Sequence, residues 1–237
     1  MGDTSFKILL IGLLLFFSGC MSQMDDNEPQ VVDLLTAFDF ENGSQGWEGG
    51  ISDYPLNYPD SAQYKVGNDI LANSLSSDSK GLTISADNPS GELFYYFKRK
   101  VSDLEPNQNY RLDFEFLVYA QVAGSGDGEL FLKIGATNFV PELITQTSGK
   151  AGDCIALNID KGASNSDSGL DVVNIGSVKE FTGNTPEVIS GNSFDFPIEV
   201  VADANGEVWL IIGVDSGIKS DLTFGMMALT VYYRKQF

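Results

Sequence analysis

Hydrophobic and polar residues alternate with a period of two over much of the chain after residue 33, which is the pattern of half-buried β-strands. The clearest run extends from Tyr110 to Val118, with apolar side chains at the even positions and mostly polar ones at the odd positions. The same alternation covers residues 194–200 and 207–214. It predicts strands with one face in a core, and it puts Phe194 and Phe196 on that face.

Weaker patterns predict further strands at residues 35–40, 82–86, 93–101, 129–136, 155–159, 170–175 and 222–233. The segments between them are rich in Gly, Pro, Asn and Asp, as turns are. No segment has the apolar spacing of an amphipathic helix of three turns. About ten strands in about 200 residues, with almost no helix, predict one all-β domain folded as an antiparallel β-sandwich.

The N-terminus has a different pattern. Lys7 precedes an uninterrupted apolar run at residues 8–17, and small residues follow it. This is the arrangement of a secretory signal peptide, and ten residues at about 1.5 Å each are too short to span a bilayer as a helix. The predicted organisation is therefore a signal peptide at 1–19, an acidic tether at 20–33 and the sandwich domain at 34–237.

Residues 17–20 (FSGC) resemble the lipobox of bacterial lipoproteins, with Phe17 where Leu is usual. The resemblance implies cleavage before Cys20, lipidation of its thiol and attachment to the outer membrane. Met21 follows instead of the Asp that retains some lipoproteins in the inner membrane. The acidic residues at 25–28 resemble the export signal of surface-exposed lipoproteins in Bacteroidota, and an ordinary solvated tether explains them equally well.

Composition excludes several chemistries. The chain has 14 basic residues, 33 acidic residues and no histidine, for a formal net charge of −19. Triads and metal sites that need imidazole are absent, and a charge this negative disfavours nucleic acid. If Cys20 carries lipid, Cys154 is the only remaining thiol, so no internal disulfide forms; we expect Cys154 to be a small buried residue at the start of a strand.

Several segments resemble jelly-roll carbohydrate-binding modules and their galactose-binding-like relatives. Residues 38–43 (FDFENG), followed by Gly46 and Trp47, match the opening of such domains, and residues 109–114 (NYRLDF) match a later strand. The resemblance implies a jelly roll and suggests sugar binding. These families commonly hold a structural Ca²⁺ with an Asp of the last strand, but residues 226–230 (MMALT) contain no carboxylate here.

Aromatic and polar side chains are concentrated in residues 47–64. Sugars bind through C–H faces stacked on aromatic rings, with their hydroxyls bonded to Asn, Asp and Gln side chains. The candidate ligand-binding residues are Trp47, Asp53, Tyr54, Asn57, Tyr58 and Tyr64, with Asp60 and Gln63 beside them. The alternative is that these rings cap the end of the sandwich, and for Trp47 the core is favoured. Trp209 could be an outward stacking ring or could pack beneath a second layer.

Residues 160–171 (DKGASNSDSGLD) carry three carboxylates, which makes Asp160, Asp167 and Asp171 weak candidates for binding calcium. The segment lacks the Gly and the final Glu of an EF-hand, and a solvated hairpin has the same composition. No other cofactor is predicted.

The first functional hypothesis is a surface-anchored lipoprotein whose jelly-roll domain binds a poly- or oligosaccharide without catalysis. The alternative is a structural or protein-interaction domain on the outer membrane without a sugar site. A third possibility is a glycan-cleaving enzyme, which would need two facing carboxylates. No sequence motif marks such a pair here.

Overall fold

The computed structural model describes residues 33–58, 64–70, 79–123, 128–149, 152–179, 181 and 185–237. This part of the chain contains strands and no helix, and therefore no helix long and apolar enough to cross a membrane. The strands are β1 (Leu34–Phe38), β2 (Glu48–Ser52), β3 (Tyr54–Pro55), β4 (Lys65–Ile70), β5 (Lys80–Ala86), β6 (Phe94–Val101), β7 (Asn109–Val122), β8 (Leu130–Thr137), β9 (Leu143–Gly149), β10 (Gly152–Leu157), β11 (Val172–Val178), β12 (Glu187–Asn192), β13 (Ile198–Val201), β14 (Val208–Ser216) and β15 (Leu222–Lys235).

Two antiparallel sheets form the sandwich, so the predicted fold class is confirmed. A seven-stranded sheet has the order β12-β7-β15-β5-β4, with β1 paired to β15 and β13 paired to β7. A five-stranded sheet has the order β11-β8-β14-β6-β2. The strands follow jelly-roll connections between the two sheets, as the resemblance implied.

One hydrophobic core fills the space between the sheets. Alternate residues of β7 enter it, from Tyr110 to Val122, as the period-two pattern predicted. Phe224 of the seven-stranded sheet meets Phe97 of the five-stranded sheet at a ring-centroid distance of 5.7 Å. Strand β15 bulges between Met226 and Ala228, so its alternation shifts by one residue at that point.

A third layer covers the outer face of the five-stranded sheet. It consists of the small sheet β3-β10-β9 and of residues 158–171, and we call it the outer layer. Phe94, Tyr96 and Ile211 project outward from the five-stranded sheet and pack with Leu157 of β10 and with Val172. The part of the outward face that carries Phe94, Tyr96 and Ile211 is therefore buried, while Lys100 and Glu48 on the same face are exposed.

The prediction that Phe194 and Phe196 face the core is wrong. They lie in the connection between β12 and β13, where they are 41% and 37% exposed. The chain turns away from the sheet there because Asn192 Oδ1 accepts the Phe194 N–H, and because Pro197 has no N–H to donate. The alternating strand begins only at Ile198.

The two-residue strand β3 is missing from the predicted strands, and so are the longer strands β2, β4, β9 and β12. These longer strands contain Gly, Asn, Ser and Thr in place of regular apolar residues, and they lie at or next to sheet edges. Pairing with a stronger neighbouring strand, rather than their own propensity, accounts for their conformation.

Gly135 permits the close approach of the outer layer to β8. A Cβ on this residue would lie 1.9 Å from the Asp171 carbonyl oxygen, which accepts the Ala136 N–H at 3.1 Å.

We expect Gly135→Ala to lower the free energy of unfolding by about 1–3 kcal/mol in urea titrations, because residue 171 must move and its hydrogen bond weakens. Gly217→Ala is the matched control, since its added Cβ would meet its nearest atom at an ordinary 3.4 Å. Equal stability of the two variants would contradict the close approach.

Candidate functional site

Trp47 lies in the core of the sandwich. It is 4% exposed, and its ring meets Phe38 edge-on at a centroid distance of 5.5 Å and Phe40 at 6.4 Å. A ring in this position cannot stack on a sugar. Of the two alternatives considered for Trp47, the structural one therefore holds.

Tyr54 and Tyr58 form a half-buried pair beside the core. Their ring centroids are 5.4 Å apart, their planes are tilted by 40°, and both rings pack against the main core. The Tyr58 hydroxyl donates a hydrogen bond to the carbonyl of Asp87. Burial raises the pKa of both phenols. Asp87 also lines a hollow of about 480 Å³ together with Asp221.

The other predicted ligand-binding residues of the segment 47–64 lie at different places in the structure. Asp53 is buried, and its carboxylate pairs with Lys161 at 2.7 Å in the outer layer. Asn57 and Tyr64 are exposed. Asp60, Gln63 and the lipidation candidate Cys20 lie outside the described residues. The structure therefore does not bring the six predicted ligand-binding residues to one surface.

The three candidate calcium carboxylates accept hydrogen bonds from their own segment. Asp160 bonds to the N–H groups of Gly162 and Leu170, Asp167 to that of Ser164 and Asp171 to that of Asp160. Within the described ranges, no group of three or more His, Cys, Asp or Glu side chains could hold a metal ion. These carboxylates act as turn-forming acceptors, and calcium binding by them stays a prediction.

Two further predictions concern single residues. Cys154 is buried, as expected for a small residue near the start of β10. Trp209 is half-buried on the covered face of the five-stranded sheet, and the Lys98 ammonium lies 5.3 Å from its ring centroid. The ring is thus partly covered by the lysine of the neighbouring strand β6, and both alternatives for Trp209 stay predictions.

The outward face of the seven-stranded sheet carries the arrangement that sequence reasoning missed. Register places Thr230 of β15 opposite Glu115 of β7, and Glu115 opposite Asn192 of β12. Tyr232 follows Thr230 on the same side of β15, and Phe194 lies in the turn after β12. We call these five residues the Tyr232 face.

The two aromatic rings of this face contact each other. Phe194 and Tyr232 meet edge to face, with centroids 6.3 Å apart and planes at 68°. The Tyr232 hydroxyl donates to Glu115 Oε2 at 2.6 Å, and this hydrogen bond raises the pKa of Tyr232. The phenol ring is therefore held in a fixed orientation on the sheet.

A shallow hollow of about 320 Å³ adjoins the Tyr232 face at its polar residues, and neither of the two rings lines it. Small residues open it, including Ser190, Gly191 and Ala228, while Glu115, Asn192 and Thr230 supply polar groups. A Cβ at Gly191 would lie 2.7 Å from the Phe116 ring, so glycine is needed at that position. The hollow and the rings together offer stacking surface and hydrogen-bonding groups side by side.

Ion pairs of Asp113 lie beside the Tyr232 face and help to hold the turn that carries Phe194. Asp113 is buried between the guanidinium groups of Arg111 and Arg234. Arg111 also donates to the Phe194 carbonyl at 2.8 Å, which ties the turn to the sheet. Asp113 therefore fixes the turn that carries Phe194.

A larger cavity of about 590 Å³ lies in the outer layer. Its lining includes Ile144, Gln146 and Asn158, with the paired Asp53 and Lys161 on one side. No aromatic side chain is among its lining residues, so it offers no ring for a sugar to stack on.

Comparisons with solved structures returned sugar-binding modules of similar architecture. The xylan-binding CBM22-1 domain of Xyn10C from Paenibacillus barcinonensis is 13% identical, with a TM-score of 0.39 over 89% of this chain and 100% of that one. TmCBM61, solved with β-1,4-galactotriose, is 14% identical, with a TM-score of 0.35 over 84% and 94%. The mannan-recognising module TmCBM27 is 13% identical, with a TM-score of 0.33 over 86% and 98%.

No protein-family model and no curated protein matches this sequence. Since these three TM-scores are below 0.5, we base the functional proposals on the residues of this chain.

Trp47→Ala separates a core ring from a ligand-contacting one. We expect it to lower the free energy of unfolding by about 3–5 kcal/mol, because it empties a large volume beside Phe38 and Phe40. Trp209→Ala serves as the matched control and should cost less, since Trp209 is only half-buried. Urea titration followed by circular dichroism gives both values, and a larger loss for Trp209→Ala would contradict the assignment.

Proposed function

We propose that this protein is a surface-anchored bacterial lipoprotein whose sandwich domain binds a glycan without catalysis at the Tyr232 face. The anchor is the lipidated Cys20 predicted from sequence, which would hold the domain at the outer membrane. A jelly-roll architecture supports sugar binding only at the level of fold. The site itself is proposed from the residues of the face.

The observation that carries this proposal is the pairing of aromatic rings with a polar hollow. The C–H groups of a sugar carry slight positive charge, and the face of an aromatic ring is negative, so the two attract. Tyr232 and Phe194 supply rings at a partly solvated surface, and Glu115 and Asn192 supply hydrogen-bonding groups within the same neighbourhood. This combination suits a carbohydrate, which presents C–H groups and hydroxyl groups on the same ring.

Charge favours a neutral glycan as the ligand. The chain carries a net charge of −19, which repels anionic polysaccharides. The two arginines nearest the Tyr232 face, Arg111 and Arg234, are both engaged by Asp113. The carboxylates of Asp113 and Glu115 match the two guanidinium groups in formal charge, so the region has no excess positive charge for a sugar carboxylate or sulfate.

A binding role without catalysis fits the carboxylates of the face. Glycosidases need one carboxyl group that gives up a proton and a second that acts as base or nucleophile. Asp113 shares a face with Glu115, but it is held between two guanidinium groups. Glu115 accepts a hydrogen bond from Tyr232. Asp113 therefore orients the two arginine side chains, and Glu115 orients the Tyr232 ring.

A protein-contact role is the second candidate, and edge strand β9 favours it. Strand β9 contains no charged residue, and Leu143 and Ile144 are exposed on it. Phe139 and Val140, shortly before the strand, are exposed as well. An uncharged edge strand with exposed apolar residues is a common place for another chain to add a strand.

A glycan array followed by calorimetry tests the sugar proposal. We expect the full chain to bind at least one neutral oligosaccharide, and Tyr232→Ala/Phe194→Ala to weaken that binding about tenfold or more, because central aromatic contacts carry much of the binding energy. Tyr54→Ala/Tyr58→Ala is the matched control at the site predicted from sequence.

The two double variants distinguish a glycan site on the Tyr232 face from one in residues 47–64. Loss of binding only in Tyr54→Ala/Tyr58→Ala would move the site to residues 47–64 and contradict the Tyr232 face. Absence of glycan binding by the parent would contradict the sugar proposal and leave the protein-contact role.

The proposed anchor has its own test. In a bacterial host that processes lipoproteins, the parent chain should incorporate a labelled fatty acid, and Cys20→Ala should not, because the thiol is the acceptor. Cys154→Ala is the control and should label like the parent. Continued labelling of Cys20→Ala would contradict lipidation at this residue.

A further inference from the structure

Lys133 is a fully buried lysine on the face of β8 that the outer layer covers. Its neighbours Leu132 and Ile134 point into the sandwich core, so its own side chain points the opposite way. A lysine at such a position normally reaches solvent, but the side chain of Lys133 is 0% exposed. Burying an ammonium group is costly unless oxygen atoms replace its water.

Backbone and carboxylate oxygens surround the Lys133 ammonium. Lys133 Nζ donates to the Lys161 carbonyl at 2.7 Å and to the Ser164 carbonyl at 3.4 Å, and it lies 3.3 Å from Asp215 Oδ2. Two backbone carbonyls of one loop and a carboxylate from a neighbouring strand form the kind of oxygen set that protein-bound hard cations take. The distances are those of an ammonium hydrogen-bonding to oxygen rather than of a metal bond.

A second buried ammonium completes the cluster. Lys161 Nζ lies 2.7 Å from Asp53 Oδ2 and 2.9 Å from Asp215 Oδ2, and 5.2 Å from the centre of the Phe94 ring. Burial acts to lower the pKa of Lys161, but the attraction of Asp215 and Asp53 outweighs it, and the pKa is raised. The formal charges of the two lysines and the two aspartates sum to zero, so each ammonium has a carboxylate within 3.3 Å in the cluster.

The backbone around Asp53 is adapted to this contact. Asp53 has φ 66°, a left-handed conformation that few residues other than Gly, Asn and Asp adopt readily. Its N–H donates to the Ile155 carbonyl at 2.7 Å, which holds it against β10. The carboxylate is thereby fixed toward Lys161.

The carboxylates of residues 160–171 have partners outside the cluster of Lys133, Lys161, Asp53 and Asp215. Asp160, Asp167 and Asp171 each accept backbone N–H groups within the same segment. The positive charge in contact with the loop comes from Lys133, through the carbonyls of Lys161 and Ser164. A calcium-loop composition is thus combined with a cation supplied by the chain itself.

We infer that Asp215 Oδ2, the Lys161 carbonyl and the Ser164 carbonyl form a monovalent-cation site that the Lys133 ammonium fills permanently. The site organises residues 158–171 in the way that a bound metal organises other loops. It is independent of the proposed glycan site, because it lies on the covered face of the five-stranded sheet.

Chemical rescue tests this inference. In the full chain, Lys133→Ala removes the ammonium and leaves its oxygen set and the space of the side chain. We expect its Tm to fall by about 6 °C or more, because a buried charge pair is broken. Methylammonium chloride should restore part of that loss, whereas tetramethylammonium chloride at equal ionic strength should not, since it is larger and cannot donate hydrogen bonds.

Two control variants test whether the loss of Tm and its rescue depend on the ammonium group of Lys133. Lys133→Met fills the space without charge and should lose stability without being rescued by methylammonium. Lys179→Ala removes a solvent-exposed partner of Glu129 and should change Tm little in any salt. The parent should keep the same Tm with added Ca²⁺ and with a chelator.

Several results would overturn the inference. Equal Tm of Lys133→Ala in the two ammonium salts would show that no cation site remains, and a parent Tm that rises with Ca²⁺ or falls with chelator would show a divalent site instead. If Lys133→Ala does not fold, the parent decides through NMR. The Lys133 side-chain NH₃⁺ should give a proton–nitrogen signal protected from water exchange near pH 7, missing in Lys133→Met, and its absence in the parent would contradict the inference.

Discussion

The ion cluster of Lys133, Lys161, Asp53 and Asp215 is the contact on which the outer layer depends. It joins β8 and β14 of the five-stranded sheet to the segment before β3 and to residues 158–171. Removing one member would leave an uncompensated charge in a buried place, which is more costly than losing an apolar contact of similar size. The outer layer has only a small apolar contact of its own, centred on Phe94, Tyr96 and Leu157. The cluster therefore determines where that layer sits.

This attachment decides which surface of the sandwich can meet a ligand. With the five-stranded sheet covered, the outward face of the seven-stranded sheet is the broad sheet surface that keeps half-buried rings and polar side chains together. Tyr232 is oriented there by Glu115, and Phe194 is held by the turn that Asn192 and Arg111 secure. Stability and proposed binding thus rest on opposite sheets, and a change on one side should leave the other intact.

The sequence was sufficient to predict the sandwich, because the residues of β7 and β14 alternate over many positions and one side of each strand must be buried. It also favoured the core for Trp47. The position of Phe194 could not be predicted in this way, since an alternating strand and a turn with exposed rings have the same apolar spacing. Only the Asx turn at Asn192 and the Pro at 197 distinguish them, and both are short-range signals within a convincing alternation.

Lys133 shows a second limit on prediction from sequence. On an alternating strand, an outward lysine is expected to be in solvent, and nothing near it in sequence indicates otherwise. Its burial arises from residues 158–171 and from Asp215, which are far away in the chain. The composition of residues 160–171 suggested a metal because an oxygen-rich loop needs a positive charge nearby. The sequence does not show whether that charge comes from a metal ion or from a side chain elsewhere in the chain.

Native-state hydrogen exchange of the parent and of Lys133→Met tests the central claim most directly. In the parent, the amides of β10 and of residues 158–171 should open with free energies close to those of β7 and β14. In the variant, the outer layer should open at a clearly lower free energy while β7 and β15 keep their protection. Rapid exchange of the outer layer in the parent, or an equal loss of protection in all strands of the variant, would contradict the account.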